Sequence, residues 1–210
     1  MREDSILLLG CGGHARSCID LIEQQGRFRI AGLVGATDQV GSKMLGYPVL
    51  GDDASLPQLL LRFRHALVTV GQIKSPDTRI RLFELARQFG CEMPVVISPQ
   101  AYISRHAHVG DGTVVIQGAV INACAEIGKN CIVNTAAVID HDASVADHCH
   151  VSTMAVLNGG VRVGTGTFIG SNVSVRQDIR IGARCVIGLG QRVISNCADE
   201  TRVPLSGGHS

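Results

Sequence analysis

Aromatic residues are scarce in this chain. Among 210 residues there is no tryptophan, and two tyrosines and five phenylalanines make up 3%. Beyond Ser98 only Tyr102 and Phe168 remain. A core of ordinary width would use more large rings, so the interior of the second half must be narrow. A surplus of either charge is missing too. Lysine plus arginine number 19 and aspartate plus glutamate 18. Divided at Pro94, the two halves hold 11 against 10 and 8 against 8. Neither half carries a basic footprint for nucleic acid. Long apolar runs are absent. Ile6-Leu7-Leu8-Leu9, preceded by Glu3 and Asp4, is too short and too acidic for a signal peptide, and no segment approaches a membrane span. No two of the eight cysteines are spaced CxxC. They read as reduced thiols of a cytoplasmic chain rather than a disulfide framework or a structural zinc site.

What is present is repetition. Steps of six from Ile97 pass through Ile103, Val109, Val115, Ile121, Ile127, Val133, Ile139, Val145, Val151, Leu157, Val163, Ile169, Val175, Ile181 and Ile187 to Val193. All seventeen residues are aliphatic. Two residues earlier runs a lane of small residues, from Ala101 and Ala107 through Thr113, Ala119, Ala125, Cys131, Ala137, Ala143 and Cys149 to Ala155. The residue after each aliphatic is often Gly, Ser, Asn or Asp and is expected to make the turn. One large inward residue, one small one and a corner in every six predict short strands on three walls. That is a triangular coil of about 18 residues, a known β-helix signature. Five to six coils at a spacing of roughly 4.8 Å stand about 25–30 Å tall. Cys131, Cys149, Cys185 and Cys197 then read as small core fillers.

The first half alternates strand and helix. Strands are predicted over Ser5–Leu9, Arg29–Val34, Tyr47–Leu50 and Ala66–Val70. Helices are predicted over Ala15–Gln25, Leu56–Phe63 and Asp77–Phe89, the last with Ile80, Phe83, Leu85 and Ala86 inside. This pattern implies a parallel sheet. The domains are expected at 1–94 and 95–210, the second with a short C-terminal tail. Between the first strand and helix lies Gly10-Cys11-Gly12-Gly13-His14-Ala15, a G-x-G-x-x-A loop whose backbone N–H groups suit a diphosphate. A dinucleotide site would place an acid near the end of the second strand. Val34-Gly35-Ala36 stands there and the nearest acid is Asp38, so a nucleotide-sugar diphosphate fits better than NAD.

Two further segments carry a resemblance. They are Gly46-Tyr47-Pro48-Val49-Leu50-Gly51-Asp52, and Asn134-Thr135-Ala136-Ala137-Val138-Ile139-Asp140-His141-Asp142 with His150-Val151-Ser152 nine residues on. With the hexads and the glycine loop, the chain resembles the left-handed β-helix sugar acetyltransferases. These include bacillosamine and perosamine N-acetyltransferases and sialic acid O-acetyltransferases. The resemblance implies a small Rossmann-like domain binding the nucleotide-sugar acceptor, followed by a left-handed parallel β-helix binding acetyl-CoA. It implies a homotrimer serving lipopolysaccharide or O-antigen synthesis, with no metal. His141 maps to the catalytic base and Asp142 to the carboxylate that orients it. His150 and Gly159 map to the thioester end of acetyl-CoA, and Gly188 and Gly190 lie farther along the pantetheine groove. Gly10, Gly12, Gly13, His14 and Asn134 are the candidate acceptor contacts. Gly35 and Ala36 stand where relatives often carry two acids, and Ser75-Pro76-Asp77 looks like a small insertion.

The chemistry is consistent without the family. Acyl transfer needs a group to take the nucleophile's proton, and an imidazole titrating near 6.5 suits it. Asp142 or Asp140 could fix its tautomer, and the N–H of Gly159 could donate to the oxyanion. The preferred acceptor is a nucleotide-linked 4-amino-6-deoxy sugar, with sialic-type O-acetylation as the alternative. Two other classes compete. One is a non-catalytic nucleotide-sugar-binding protein. The other is a β-helix carbonic anhydrase, for which His106 and His141 have suitable separation, whereas Ala146 stands where a third ligand is expected. His106, His108 and His148 otherwise read as surface residues.

Overall fold

The computed structural model describes residues 3–204; the tail beyond lies outside the described residues. The chain divides into two compact units. One comprises residues up to 71 with 77–96, and the other 72–76 with the chain from 97 onward.

The first unit is built on β1 (Glu3–Leu9), whose Ile6, Leu7, Leu8 and Leu9 are completely buried. An unbroken apolar run belongs to a strand covered on both faces, as in a parallel sheet flanked by helices. β1 pairs in parallel with β2 (Ile30–Val34) on one side and β5 (Phe63–Val68) on the other. β4 (Tyr47–Gly51) extends the sheet parallel to β2, and the two-residue β3 (Lys43–Met44) closes that edge antiparallel, giving the order β3-β4-β2-β1-β5. Helix α1 (Gly13–Gln25) buries Ala15, Cys18, Ile19, Leu21 and Ile22, one stripe at helical spacing. It ends at Gly26, whose left-handed φ of 67° turns its N–H onto the Ile22 carbonyl at 3.0 Å.

Two expectations need correction here. Helix α2 spans Leu56–Arg62, and Phe63 already belongs to β5 rather than to the helix. Its ring is 1% exposed, so burial in the sheet decides its conformation. In α3 (Asp77–Gln88) the buried residues are Arg79, Leu82, Phe83 and Ala86, whereas Ile80 and Leu85 are only half-buried. Arg79 takes an inner position because its guanidinium donates to the carbonyls of Val68 (3.3 Å) and Val70 (2.6 Å) at the end of β5. Hydropathy alone would never place an arginine there.

The second unit is a parallel β-helix, left-handed as in the family described below. Its two-residue strands recur every six residues and pair with the strand eighteen residues on. Val120 stands against Val138 and Ile121 against Ile139, and the same register continues from coil to coil. Three walls of six, five and seven strands result. The aliphatic lane from Val115 to Val193 and the small lane between form one continuous buried core. Ile97, Ile103 and Val109 are partly buried, at the end of the stack. Cys131, Cys149 and Cys185 are completely buried and point their thiols at carbonyls of Ala146, Gly164 and Ala198, 3.1–3.2 Å away.

The corner differs from the expected one. The left-handed residue is the third after each aliphatic, not the first. Every sixth residue from Gly112 to Gly190 has positive φ, and nine of them are not glycine, including Cys124, Met154 and Arg184. A non-glycine residue there costs roughly 1–2 kcal/mol. The corner is held by bonds to the preceding coil, such as Asp142 N–H to Ala123 O at 3.2 Å. Small residues directly after the aliphatics answer a different need, close stacking of coils. A Cβ on Gly164 would lie 2.5 Å from the Ala183 nitrogen.

Candidate active site

In the first unit, a cavity of about 560 Å³ opens where the parallel strands end. Connections leave β1 for β2 on one side, while β5 lies on the other. Ligands of open α/β sheets bind at this kind of reversal. Gly10 and Gly12 line the cavity. At Gly10, φ is +131° and a Cβ would sit 2.6 Å from Val70 Cγ2, so the turn admits only glycine. Gly12 precedes α1 without a capping side chain, and no acid stands in the first turn. The positive end of the helix dipole therefore has no internal counter-charge at that turn. Gly13 and His14 form that turn. An added Cβ on Gly13 meets nothing within 4 Å, and His14 Nε2 lies 3.5 Å from Cys18 Sγ.

Thr37, Gln39, Asp52, Asp53 and Arg81 complete the lining and were not singled out from sequence as site residues, whereas Asp38 does not line it. Asp52 accepts from the Thr37 hydroxyl at 2.8 Å. That bond, and the N–H of Ser55, hold its carboxyl below the usual range. Asp53 pairs with Arg81 at 2.8 Å. The acids absent after β2 are thus supplied after β4. No spacing within the glycine motif announces them.

In the second unit, His141 occupies a corner after the strand Val138–Ile139. Its Nδ1 lies 2.8 Å from Asp142 Oδ2. Asp142 owes this placement to its left-handed φ of 58°, which turns its side chain beside its neighbour's ring. Asp140 takes a separate task. Its Oδ1 accepts the backbone N–H of His141 and the amide of Asn122, both at 2.8 Å. The choice left open between the two acids falls to Asp142 for the ring and Asp140 for the backbone. With Nδ1–H donated to Asp142, Nε2 is the basic nitrogen. The imidazole lies over Gly159, where a Cβ would come within 2.7 Å of Cε1 and 2.8 Å of Nε2. The bond to Asp142 raises the imidazole pKa above its ordinary value, and the charges of Asp140 and Asp178 add to that. The two N–H donors keep Asp140 ionised below the usual carboxylate range. Asn158, Gly160, Gln177 and Asp178 complete a depression of about 420 Å³.

The other candidates lie elsewhere in this unit. His150 is 7% exposed and sits on a wall edge-on to Phe168. Its Nδ1 donates to the carbonyl of Gln72 at 2.7 Å, and its Nε2 accepts from the Asn134 amide at 3.2 Å. Gln72 also donates to Gly166 O at 3.1 Å, which ties segment 72–76 to the coils. Gly188 and Gly190 follow the strand Val186–Ile187, on a different corner from His141. Among the described residues no group of His, Cys, Asp or Glu is arranged to hold a metal ion. No helix there is long and apolar enough to cross a membrane.

Residues 5–85 match the PglD N-terminal domain family. A solved histidine-to-asparagine variant of perosamine N-acetyltransferase from Caulobacter crescentus, in complex with CoA and GDP-perosamine, is 33% identical. The match covers 94% of this chain and 92% of that one, with a TM-score of 0.88. The chain belongs to the left-handed β-helix sugar acetyltransferases. Another structure similar to this acetyltransferase is the acetyltransferase domain of PglB from Neisseria gonorrhoeae in complex with acetyl coenzyme A. It is 29% identical over 95% of both chains, with a TM-score of 0.86. WeeI from Acinetobacter baumannii shares the fold at 17% identity, over 94% of this chain and 95% of that one, with a TM-score of 0.75. A search of curated protein sequences gives no match.

Proposed function

We propose that this acetyltransferase moves the acetyl group of acetyl-CoA to the amine of a nucleotide-linked 4-amino-6-deoxy sugar used in bacterial surface-glycan synthesis. The observation that carries the reading is the imidazole of His141, tied to Asp142 through Nδ1 and laid over side-chain-free Gly159. The related enzyme from Caulobacter, solved with CoA and GDP-perosamine, supports the substrate class. In the proposed reaction the amine nitrogen attacks the thioester carbonyl carbon while His141 Nε2 takes the N–H proton. The N–H of Gly159 donates to the oxyanion. Collapse breaks the C–S bond, and the imidazolium proton neutralises the departing thiolate.

The division of labour follows from the two units. Gly10, Gly12 and Gly13, with the N-terminus of α1 and nearby His14, are assigned to the nucleotide diphosphate. Gly159, Gly188 and Gly190 are assigned to acetyl-CoA. His150 is assigned to the thioester end of acetyl-CoA, and Asn134, whose amide donates to His150 Nε2, to the acceptor. UDP-, GDP- and dTDP-amino sugars incubated with acetyl-CoA test the reading. Thiol release with one of these amines supports it. Release only with sialic acids moves the enzyme to O-acetylation, and binding without any release makes it a sugar-nucleotide-binding protein.

A trimer is part of this proposal. The His141 side chain is 64% exposed in the single chain, whereas acyl transfer gains from excluding water. Tyr102, Met154, Leu189 and Ile194, each more than half exposed, supply apolar surface on the coils. Light scattering is expected to give about three times the 22.2 kDa chain mass. A monomer mass at working concentration contradicts it.

A further inference from the structure

We infer that Asp178 is the residue that receives the acceptor's ammonium group and makes the site selective for amines. This rests on the N-acetyltransferase reading above. Three carboxylates surround the imidazole, and the chain itself occupies two of them. Asp142 is bound to the ring nitrogen, and Asp140 holds the His141 N–H and Asn122. Asp178 lines the same depression and makes no side-chain hydrogen bond or ion pair among the described residues. Its position is built. Its backbone N–H donates to Gly159 O at 3.0 Å, so it is anchored to the glycine beneath the imidazole. Its left-handed φ of 59° matches that of Asp142, eighteen residues twice over along the same corner. Its Oδ1 approaches Gly160, where a Cβ would come within 2.5 Å, so a glycine there gives the carboxylate its room.

The other groups lining this depression, Asn158 and Gln177, are neutral. An aliphatic amine reaches the enzyme largely as a cation, because its pKa lies above neutrality. A carboxylate without an internal partner, in the same depression as the nitrogen that takes the proton, favours that cation by charge-assisted hydrogen bonding. A neutral hydroxyl gains much less. Asp178 thus holds the amine at the base. The extra ammonium proton passes to water, and His141 Nε2 takes the second N–H proton as the freed lone pair attacks.

The experiment compares wild type with Asp178→Asn and Asp178→Glu, using acetyl-CoA and the best acceptor among the UDP-, GDP- and dTDP-amino sugars. Asparagine tolerates left-handed backbone, so circular dichroism and oligomeric mass should be unchanged. Asp178→Asn is expected to raise the acceptor KM about fivefold to twentyfold near neutrality. The KM for acetyl-CoA should stay in place, and Asp178→Glu should recover part of the loss. The difference should shrink in high salt and above the amine's own pKa, which a merely structural role would not produce. An acceptor KM equal to wild type, or a loss independent of salt and pH, overturns this inference alone. A wild-type enzyme that acetylates no amino sugar overturns the functional reading as well.

Discussion

His141→Ala is expected to lose about 10²–10⁴-fold in kcat, the usual worth of a general base, while both substrates still bind. The substitution deletes the proposed proton acceptor and touches neither the glycine turn before α1 nor the core of the coils. His141 is an outward corner residue, so the fold should survive. The pH dependence then identifies the acceptor. Only neutral imidazole takes a proton, so wild-type activity falls as pH drops through the His141 pKa. Asp142 raises that pKa. The falling limb should therefore lie on the alkaline side of an ordinary histidine, and Asp142→Asn should move it toward acid. Above its pKa an amine loses its extra proton to water without help, so alkaline pH should partly rescue His141→Ala. A hydroxyl acceptor is too weakly acidic for this rescue. A variant that keeps most of its turnover would remove His141 from the mechanism.

Gly13→Asp is expected to raise the acceptor KM about 100-fold, close to 3 kcal/mol of repulsion between like charges. An Asp Cβ meets nothing within 4 Å at this position. A carboxylate in the first turn of a helix is itself mildly favourable, so the variant should fold at least as well as wild type. The harm falls on the diphosphate, whose space and charge it contests. The KM for acetyl-CoA should remain near wild type. Steady-state kinetics with each substrate varied in turn checks this, and an equal loss for both contradicts the proposed division of labour.

The hexad could be read directly because a narrow prism leaves no choice at its inward positions. From Val115 to Val193 they must be aliphatic, and a period of six survives any outward substitution. The corners hide their conformation for the converse reason. Coil-to-coil hydrogen bonds impose the left-handed backbone on residues as different as Met154 and Arg184, so no residue type marks it. His141 and Asp142 were legible as an adjacent pair, and the glycine turn as a motif with a fixed backbone demand. Asp52 and Asp53 were not legible as site residues because β2 ends without acids and the next connection supplies them. Asp178 escaped notice because its partner in space lies two coils back. A step of eighteen from Asp142 through Gly160 would have found it. Arg79 stayed hidden because it is buried for the carbonyls it serves, not for its hydropathy.

The most direct measurement of the central claim is the linkage of the transferred acetyl group. Wild-type protein is incubated with labelled acetyl-CoA and the UDP-, GDP- or dTDP-linked 4-amino-6-deoxy sugar that gives the fastest thiol release, and the sugar nucleotide is isolated and treated with neutral hydroxylamine. The account predicts one acetyl per sugar, with the label resisting hydroxylamine as an amide must. Label released as an ester, or CoA thiol formed with no label on the sugar, would contradict N-acetylation by this enzyme.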